Sequence, residues 1–253
     1  MLRFFRTIRR KLFSEGKVAN YFGYAIGEIL LIVVGILLAL QISEWNQNRK
    51  DRSEETQILL RLKADFEDNQ EKLKIWREQN EEVSTGVRTL LEMIEPEPTS
   101  YADDEIRNYM AKVGWNPTYI PNTGTINSLL SSGKIALISN DSLNHRLNTW
   151  PSIMEEYTNL MDYMKGGYLA QWDTYLENYR FREMQIVDGD NNHTGPSKFS
   201  YDQRALLSDP KLEDLAEQKR LSIDQMLAIV DKLQKIQQEI LDLIEEDLSQ
   251  RGI

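Results

Sequence analysis

One stretch near the N-terminus is apolar enough to cross a lipid bilayer. It runs from Tyr21 to Ile42 and contains a single ionisable residue, Glu28. At the rise of an α-helix these residues extend about 33 Å, whereas a bilayer core is roughly 30 Å thick. No later apolar run approaches the length that a second span needs. The sequence therefore predicts a transmembrane helix at residues 18–44 and an extracytoplasmic helical-bundle domain at residues 45–253.

Charge is divided sharply along the chain. The basic arm at residues 1–17 holds six basic residues and one acidic residue, a net charge of +5. Because the whole chain carries −10, residues 18–253 carry −15. Segments rich in Lys and Arg stay in the cytoplasm, so the arm predicts a cytoplasmic N-terminus and an exported C-terminal domain. The arm either binds anionic lipid or serves only as a topology signal. The acidic remainder argues against nucleic-acid binding.

Cysteine is absent from the chain, which excludes disulfides, thiol catalysis and thiolate metal sites. The exported domain must therefore obtain its stability from the size of its core. A cleaved signal peptide is the competing interpretation of the apolar stretch. Its apolar region is longer than the usual range of about 7–15 residues, and a small-x-small cleavage site is not evident.

Apolar residues with alternating spacings of three and four continue beyond the span. This heptad seam includes two asparagines and consists of Leu59, Leu62, Phe66, Asn69, Leu73, Trp76, Asn80, Val83, Val87, Leu90 and Ile94. It predicts a long helix that continues from the span and is stopped by Pro96 and Pro98. Asn69 and Asn80 either fix the register of an association or face solvent at the edge of a broader stripe.

The rest of the chain indicates more helices. Residues 114–124 read as a loop, and Pro151 must kink or interrupt the helix that contains it. Further predicted elements are a helix from Asp103 to about Val113, a helix at Thr125–Ser132 ended by Gly133, a buried turn at Ile135–Ile138, a helix from Leu143 with a pattern reaching Tyr179, and a helix from Pro210 to the C-terminus. The predicted fold class is all-α: an N-terminal transmembrane helix running into a long heptad helix and an antiparallel helical bundle.

The predicted span carries the candidate interaction site. On a helical wheel Glu28 lies within 40° of Gly35 and Ala39, taking about 3.6 residues per turn. Gly23 and Gly27 form a GxxxG pair on an adjoining face. Small residues permit close helix approach, and a carboxyl group in a span usually faces protein or water, so we predict a helix–helix interface there. The alternative is that Glu28 snorkels to the headgroups.

Aromatic residues flank the span at both ends. Tyr21 and Tyr24 lie at one end and Trp45 lies beyond the other, so we predict that all three are membrane-interface anchors.

No pattern in the sequence predicts catalysis, a cofactor or a metal. Asp188, Asp190 and Asn192 match the start of a calcium loop, but His193 and Phe199 replace its glycine and glutamate, which favours a flexible polar loop. His145 and His193 read as surface residues. The Met and aromatic stripe at residues 150–179 indicates core, with a ligand groove between helices as the alternative.

Two blocks of the sequence are similar to an uncharacterised family of single-span membrane proteins found in Bacteroidota, especially in flavobacterial relatives. That family has a basic arm, a YxIGEIxLxxxGILxALQ span and a following Trp-Asn pair. The matching residues are Tyr24, Ile26, Gly27, Glu28, Ile29, Gly35, Ile36, Leu37, Ala39, Leu40, Gln41, Trp45 and Asn46. The second block is PNTGTINSLLSSGKIALISNDSL, at residues 121–143. The resemblance implies a bacterial inner-membrane protein with a periplasmic helical domain, and implies no activity.

Three classes of function follow from these features. The leading prediction is a membrane-anchored, non-enzymatic helical module whose span and proximal heptads drive self-association or docking to another membrane protein. Its partners would be the lipid bilayer and a second copy or another membrane protein. The alternative is a sensory ligand-binding ectodomain that signals through a partner membrane protein. An envelope enzyme acting through paired carboxylates is the third class, and no spacing in the sequence singles out such a pair.

Overall fold

The computed structural model describes residues 18–95, 100–164, 166–167, 170–177 and 202–253, with side chains from Ala25 onward except at residues 176–177. Every regular element in these residues is helical, which confirms the all-α class. The α-helices are α1 (Val18–Met93), α2 (Asp103–Gly114), α3 (Gly124–Ser131), α4 (Asp141–Met164), α5 (Ala170–Glu177), α6 (Arg204–Leu207) and α7 (Pro210–Gln250). A 3₁₀ helix at Lys134–Leu137 takes the place of the predicted turn. The basic arm and the calcium-like loop lie outside the described residues.

The helix boundaries follow from local chemistry. Pro210 occupies the first turn of α7, where its missing N–H costs nothing, and the Asp209 carboxylate accepts a hydrogen bond from the Lys211 N–H. Gly133 has a φ of 71°, a left-handed conformation that glycine adopts without strain, and it ends the turn after α3. The structure continues α4 through Pro151 as one helix. The predicted starts and ends of α1, α3 and α7 are confirmed to within a few residues.

The chain divides into two compact units between Gln57 and Ile58. The first unit contains the apolar part of α1, whose large side chains from Ile26 to Trp45 are 45–69% exposed. This part of α1 is long and apolar enough to cross a membrane. The second unit holds the buried core.

Ion pairs between helices show the helix directions in the second unit. Lys63 lies 2.8 Å from Glu245, and Arg88 lies 3.6 Å from Asp224, so α7 runs antiparallel to α1. The pairs between α4 and α7 are Arg146 with Glu239 at 2.6 Å and Glu156 with Lys232 at 2.5 Å. Helix α7 is therefore antiparallel to α4 as well, and α1 and α4 run in the same direction.

Residues 103–131 form the descending leg between α1 and α4. Along this leg Lys112 lies beside Glu82, Pro117 beside Trp76, and Asn122 beside Asn69, so the chain runs back along α1. Only α2 and α3 are helical in it. The segment between them, residues 115–123, has no regular secondary structure, and we refer to it as the strap. The order of the legs is thus up, down, up, down, as an antiparallel bundle requires.

Two buried clusters fill this unit. One surrounds Phe66, Trp76 and Trp150, and the other surrounds Leu90, Ile106 and Leu206. The Met and aromatic stripe contributes to both, through Trp150, Tyr157, Met161, Met164, Trp172 and Tyr175. These residues of the stripe are therefore core, as the sequence favours.

Helices α1 and α2 approach each other closely at Gly86. A Cβ atom at this position would lie 2.9 Å from the Lys112 Cβ, which a side chain cannot avoid by rotation. Overpacking costs about 1–3 kcal/mol, whereas alanine gains about 1 kcal/mol over glycine in a helix. We expect Gly86→Ala to lower the free energy of unfolding by about 1 kcal/mol, measured by chemical denaturation of the full chain. Thr85→Ala, at the exposed neighbouring position, is the control and should be nearly neutral. A Gly86→Ala variant that is more stable than the original chain would show that the helices can move apart freely.

Candidate functional site

The predicted interface face of α1 is exposed at its two small residues. Gly35 and Ala39 are exposed, and a Cβ atom placed on Gly35 would meet nothing within 4 Å. Gly27 and Glu28 are half-buried, and Gly27 also has open space where a Cβ atom would lie. A second helix could therefore approach the backbone closely on this side.

The predicted membrane-interface anchors flank this face. Trp45 is 65% exposed, as a side chain that contacts headgroups would be. Tyr21 and Tyr24 lie within α1, and their side chains are not described. Gly23 also lies within α1, and its surroundings are not described.

The heptad seam beyond Ile58 packs against other helices of the same chain. Its apolar members up to Leu90 are at most 2% exposed, packed among residues from α4, α7 and the descending leg. Ile94, the last member of the seam, is half-buried and packs against the same core. The sequence predicts association through the seam together with the span, and the folded second unit does not present the apolar seam residues up to Leu90 for it.

The seam asparagines bind backbone atoms instead of fixing an association or facing solvent. Asn69 is 1% exposed; its Nδ2 donates to the Asn122 carbonyl at 2.9 Å, and its Oδ1 accepts from the Asn122 N–H at 2.5 Å. Asn80 is 3% exposed and donates to the Trp76 carbonyl at 2.8 Å. Neither of the two roles considered for these residues describes what they do.

Side chains from three helices hold the rest of the strap. The Trp76 indole N–H of α1 donates to the Pro117 carbonyl at 2.9 Å. The Tyr157 hydroxyl of α4 accepts from the Tyr119 N–H at 3.2 Å and donates to the Tyr119 carbonyl at 2.9 Å. Gln237 of α7 donates to the Tyr119 hydroxyl at 2.9 Å. The strap thus obtains its backbone hydrogen bonds from side chains far away in sequence, because its own prolines prevent it from forming a helix.

The same three aromatic rings pack against one another. The ring of Trp76 lies 5.6 Å from that of Tyr157 and 6.0 Å from that of Tyr119, and the two tyrosine rings are 5.8 Å apart. Tyr157 makes edge-on contacts with both Trp76 and Tyr119, an arrangement that aromatic pairs favour. Burial raises the pKa of both Tyr119 and Tyr157, so both hydroxyls remain protonated at neutral pH.

Lys219 of α7 holds the beginning of the strap. Its Nζ donates to the Trp115 carbonyl at 3.1 Å and to the side-chain oxygen of Asn116. The residue is 2% exposed, and this burial lowers the pKa of its amine to about 8.

This pKa makes stability depend on pH in a defined window. Between pH 8 and 10.5 the lysine is protonated in the unfolded chain and largely neutral in the folded chain, so the unfolded state binds more protons and stability rises with pH. We expect the unfolding free energy to gain about 1 kcal/mol from Lys219 between pH 8 and 9. Lys219→Met should remove this gain, whereas Lys235→Met, at an exposed position, should keep it. An equal slope in all three proteins, measured by denaturant unfolding below the range where tyrosine ionises, would contradict the assignment.

An open groove of about 690 Å³ lies between the start of α4 and α7. It is lined by Asp141, Ser142, His145, Arg146, Glu239, Asp242 and Leu243. Its arginine is already paired with Glu239. The described residues bring no three His, Asp or Glu side chains together as metal ligands. His145 is exposed at this groove, as the sequence predicts.

The sequence does not predict the hydrogen bonds between the strap and the side chains of α1, α4 and α7. Residues 114–124 read as a loop, and loops are usually held at the surface. One signal was present: Asn69, Lys219 and Gln237 are polar residues at core positions of helical stripes. Buried polar side chains need partners, so such positions indicate that a segment with free backbone groups packs against them.

Comparison with known proteins gives one family. The model of DUF6090, a family of unknown function, matches residues 28–168, which is more than half of the chain. The matched region begins at Glu28, contains the heptad seam and the strap, and ends beyond α4. Neither a curated protein nor a solved structure matches the chain.

Proposed function

We propose that this chain, which belongs to the DUF6090 family of unknown function, is a membrane-anchored, non-enzymatic helical module of the cell envelope. Its span would associate with a second copy or with another membrane protein, and its exported domain would bind a partner or act as a scaffold. The observation that carries the proposal is the face of α1 with Gly35 and Ala39, which is exposed and lies in an apolar helix long enough to span a membrane.

The physics of the bilayer supports association at this face. Apolar side chains gain nothing by leaving lipid for another helix, so association in membranes depends on close backbone packing and polar contacts. Gly35 and Ala39 permit the first, and Glu28 on the same side supplies a group for the second. Because the apolar seam residues up to Leu90 are buried inside the second unit, we place the association in the span.

The proposed location is the bacterial inner membrane, with the N-terminus in the cytoplasm and the C-terminal domain in the periplasm. The basic arm supports this orientation through the positive-inside rule. A reporter that works only outside the cytoplasm should be active when it is fused after Ile253. Activity of a cytoplasmic reporter at that position would overturn the orientation.

The mass of the full chain in mild detergent tests the association. We expect a mass of at least twice the 29.5 kDa of one chain after subtraction of the detergent. A monomer across the accessible concentration range, with no cross-linked species in native membranes, would overturn the proposed role. A ligand-dependent thermal shift of the monomer would instead favour the sensory function.

A further inference from the structure

The strap is held in the second unit as an extended peptide is held in a binding groove. Its backbone carbonyls at Trp115, Pro117, Tyr119 and Asn122 accept hydrogen bonds from side chains of Lys219, Trp76, Tyr157 and Asn69. The N–H groups of Tyr119 and Asn122 donate to side chains as well. Extended peptides are recognised in the same way, with hydrogen bonds to the main chain and pockets for alternate side chains.

Alternate strap residues point inward and outward. Pro117 and Tyr119 are buried, whereas Thr118 is exposed and Ile120 is 75% exposed. The Tyr119 ring fills the space between Trp76 and Tyr157, and its hydroxyl reaches Gln237 on α7. The groove therefore has one deep aromatic pocket for Tyr119, and it also buries Pro117, whose carbonyl accepts from Trp76.

The groove is complementary to an extended backbone and to one tyrosine side chain. Asn69, Lys219 and Gln237 are 0–2% exposed, and each donates a hydrogen bond to a strap atom. If the strap left and nothing replaced it, these buried groups would lose their partners. An apolar helix could not replace the strap for the same reason, whereas another extended peptide could.

We propose that the groove formed by α1, α4 and α7 is a binding site for an extended peptide of the Pro-x-Tyr-x-Pro type, and that the strap occupies it within the chain until such a partner segment displaces it. This groove would be the place where the exported domain binds its partner. The proposal rests on the proposed function only in assuming that the domain binds one. It is independent of association through the span, so the mass measurement and the experiments below can fail separately.

Hydrogen exchange on the original full chain tests whether the strap opens. We expect the Tyr119 and Asn122 amides to exchange together through a local opening that is at least a hundredfold more frequent than global unfolding. Low denaturant should leave this rate unchanged, because local opening exposes little surface. Exchange of both amides only at the rate of the core amides of α7 would overturn the proposal.

Peptide binding tests the groove. The probe is a fluorescent peptide with the sequence of residues 114–124, added to the full chain in mild detergent. The Tyr119→Ala chain, whose own strap lacks its anchor, should bind this peptide at least tenfold more tightly than the original chain. A peptide with alanine in place of its tyrosine should bind neither chain, and adding Asn69→Leu to Tyr119→Ala should abolish binding. Equal affinities for the original and the Tyr119→Ala chain, or equal affinities for the two peptides, would overturn the proposal. The exchange experiment decides the matter alone if Tyr119→Ala does not fold.

Discussion

Replacing Trp76 by alanine is expected to lower the free energy of unfolding by about 3–5 kcal/mol, the usual cost of removing a buried tryptophan. Trp76 is 1% exposed, contacts both Tyr119 and Tyr157, and donates to the Pro117 carbonyl. The substitution leaves a cavity where three segments meet, and it leaves that carbonyl without its donor. Chemical denaturation of the full chain, followed by loss of helical signal, measures the effect.

Trp76→Phe separates the two causes. Phenylalanine keeps an aromatic ring in the cavity but cannot donate to the Pro117 carbonyl, so it should cost about 1–3 kcal/mol. Ile75→Ala removes the exposed neighbour of Trp76 and should cost much less than either. A loss below about 1 kcal/mol for Trp76→Ala would mean that the strap and α1 are not packed together as described.

Enlarging the small residues of the span is expected to have the second large effect. Gly35→Leu with Ala39→Leu places two bulky side chains where close backbone contact is proposed, so the fraction of associated chains should fall at least tenfold. This corresponds to at least about 1.4 kcal/mol of association free energy. The mass of the complex in mild detergent, measured over a dilution series, reports the change.

Leu37 offers the matched control for this pair. It lies between the two positions along the helix but on the opposite face from Glu28, at about 180° on the wheel. Leu37→Ala keeps the span apolar and should leave association unchanged. Equal effects of the double substitution and of Leu37→Ala would place the interface elsewhere.

The sequence predicts most helices because their signals are local. The apolar run at Tyr21–Ile42, the alternating spacing after Leu59, and Pro210 before the last apolar stripe each act within a few turns. Pro151 predicts a kink or an interruption of its helix, and the structure continues α4 through it as one helix. The neighbours Leu147 and Trp150 are buried in the core, and such tertiary packing can outweigh the hydrogen bond that proline removes.

The candidate sites depend on contacts between distant residues, which the spacing of apolar residues cannot predict. A heptad seam shows that one face of α1 needs a partner, but it does not show whether the partner is the same chain or another. Here the same chain supplies it. The strap depends on side chains 38 to 118 residues away from Tyr119, so no local pattern in residues 115–123 reveals it. Only the polar residues on otherwise apolar stripes indicate it.

Photo-cross-linking in native membranes tests most directly whether the span face of Glu28, Gly35 and Ala39 binds protein. A photoreactive amino acid is placed at position 39 in one variant and at position 37 in another, with both at similar depth in the same helix. We predict protein adducts from position 39, containing a second copy of the chain or another membrane protein, and lipid adducts alone from position 37. Lipid adducts alone from both positions, or the same protein adducts from both, would contradict an interface on this face.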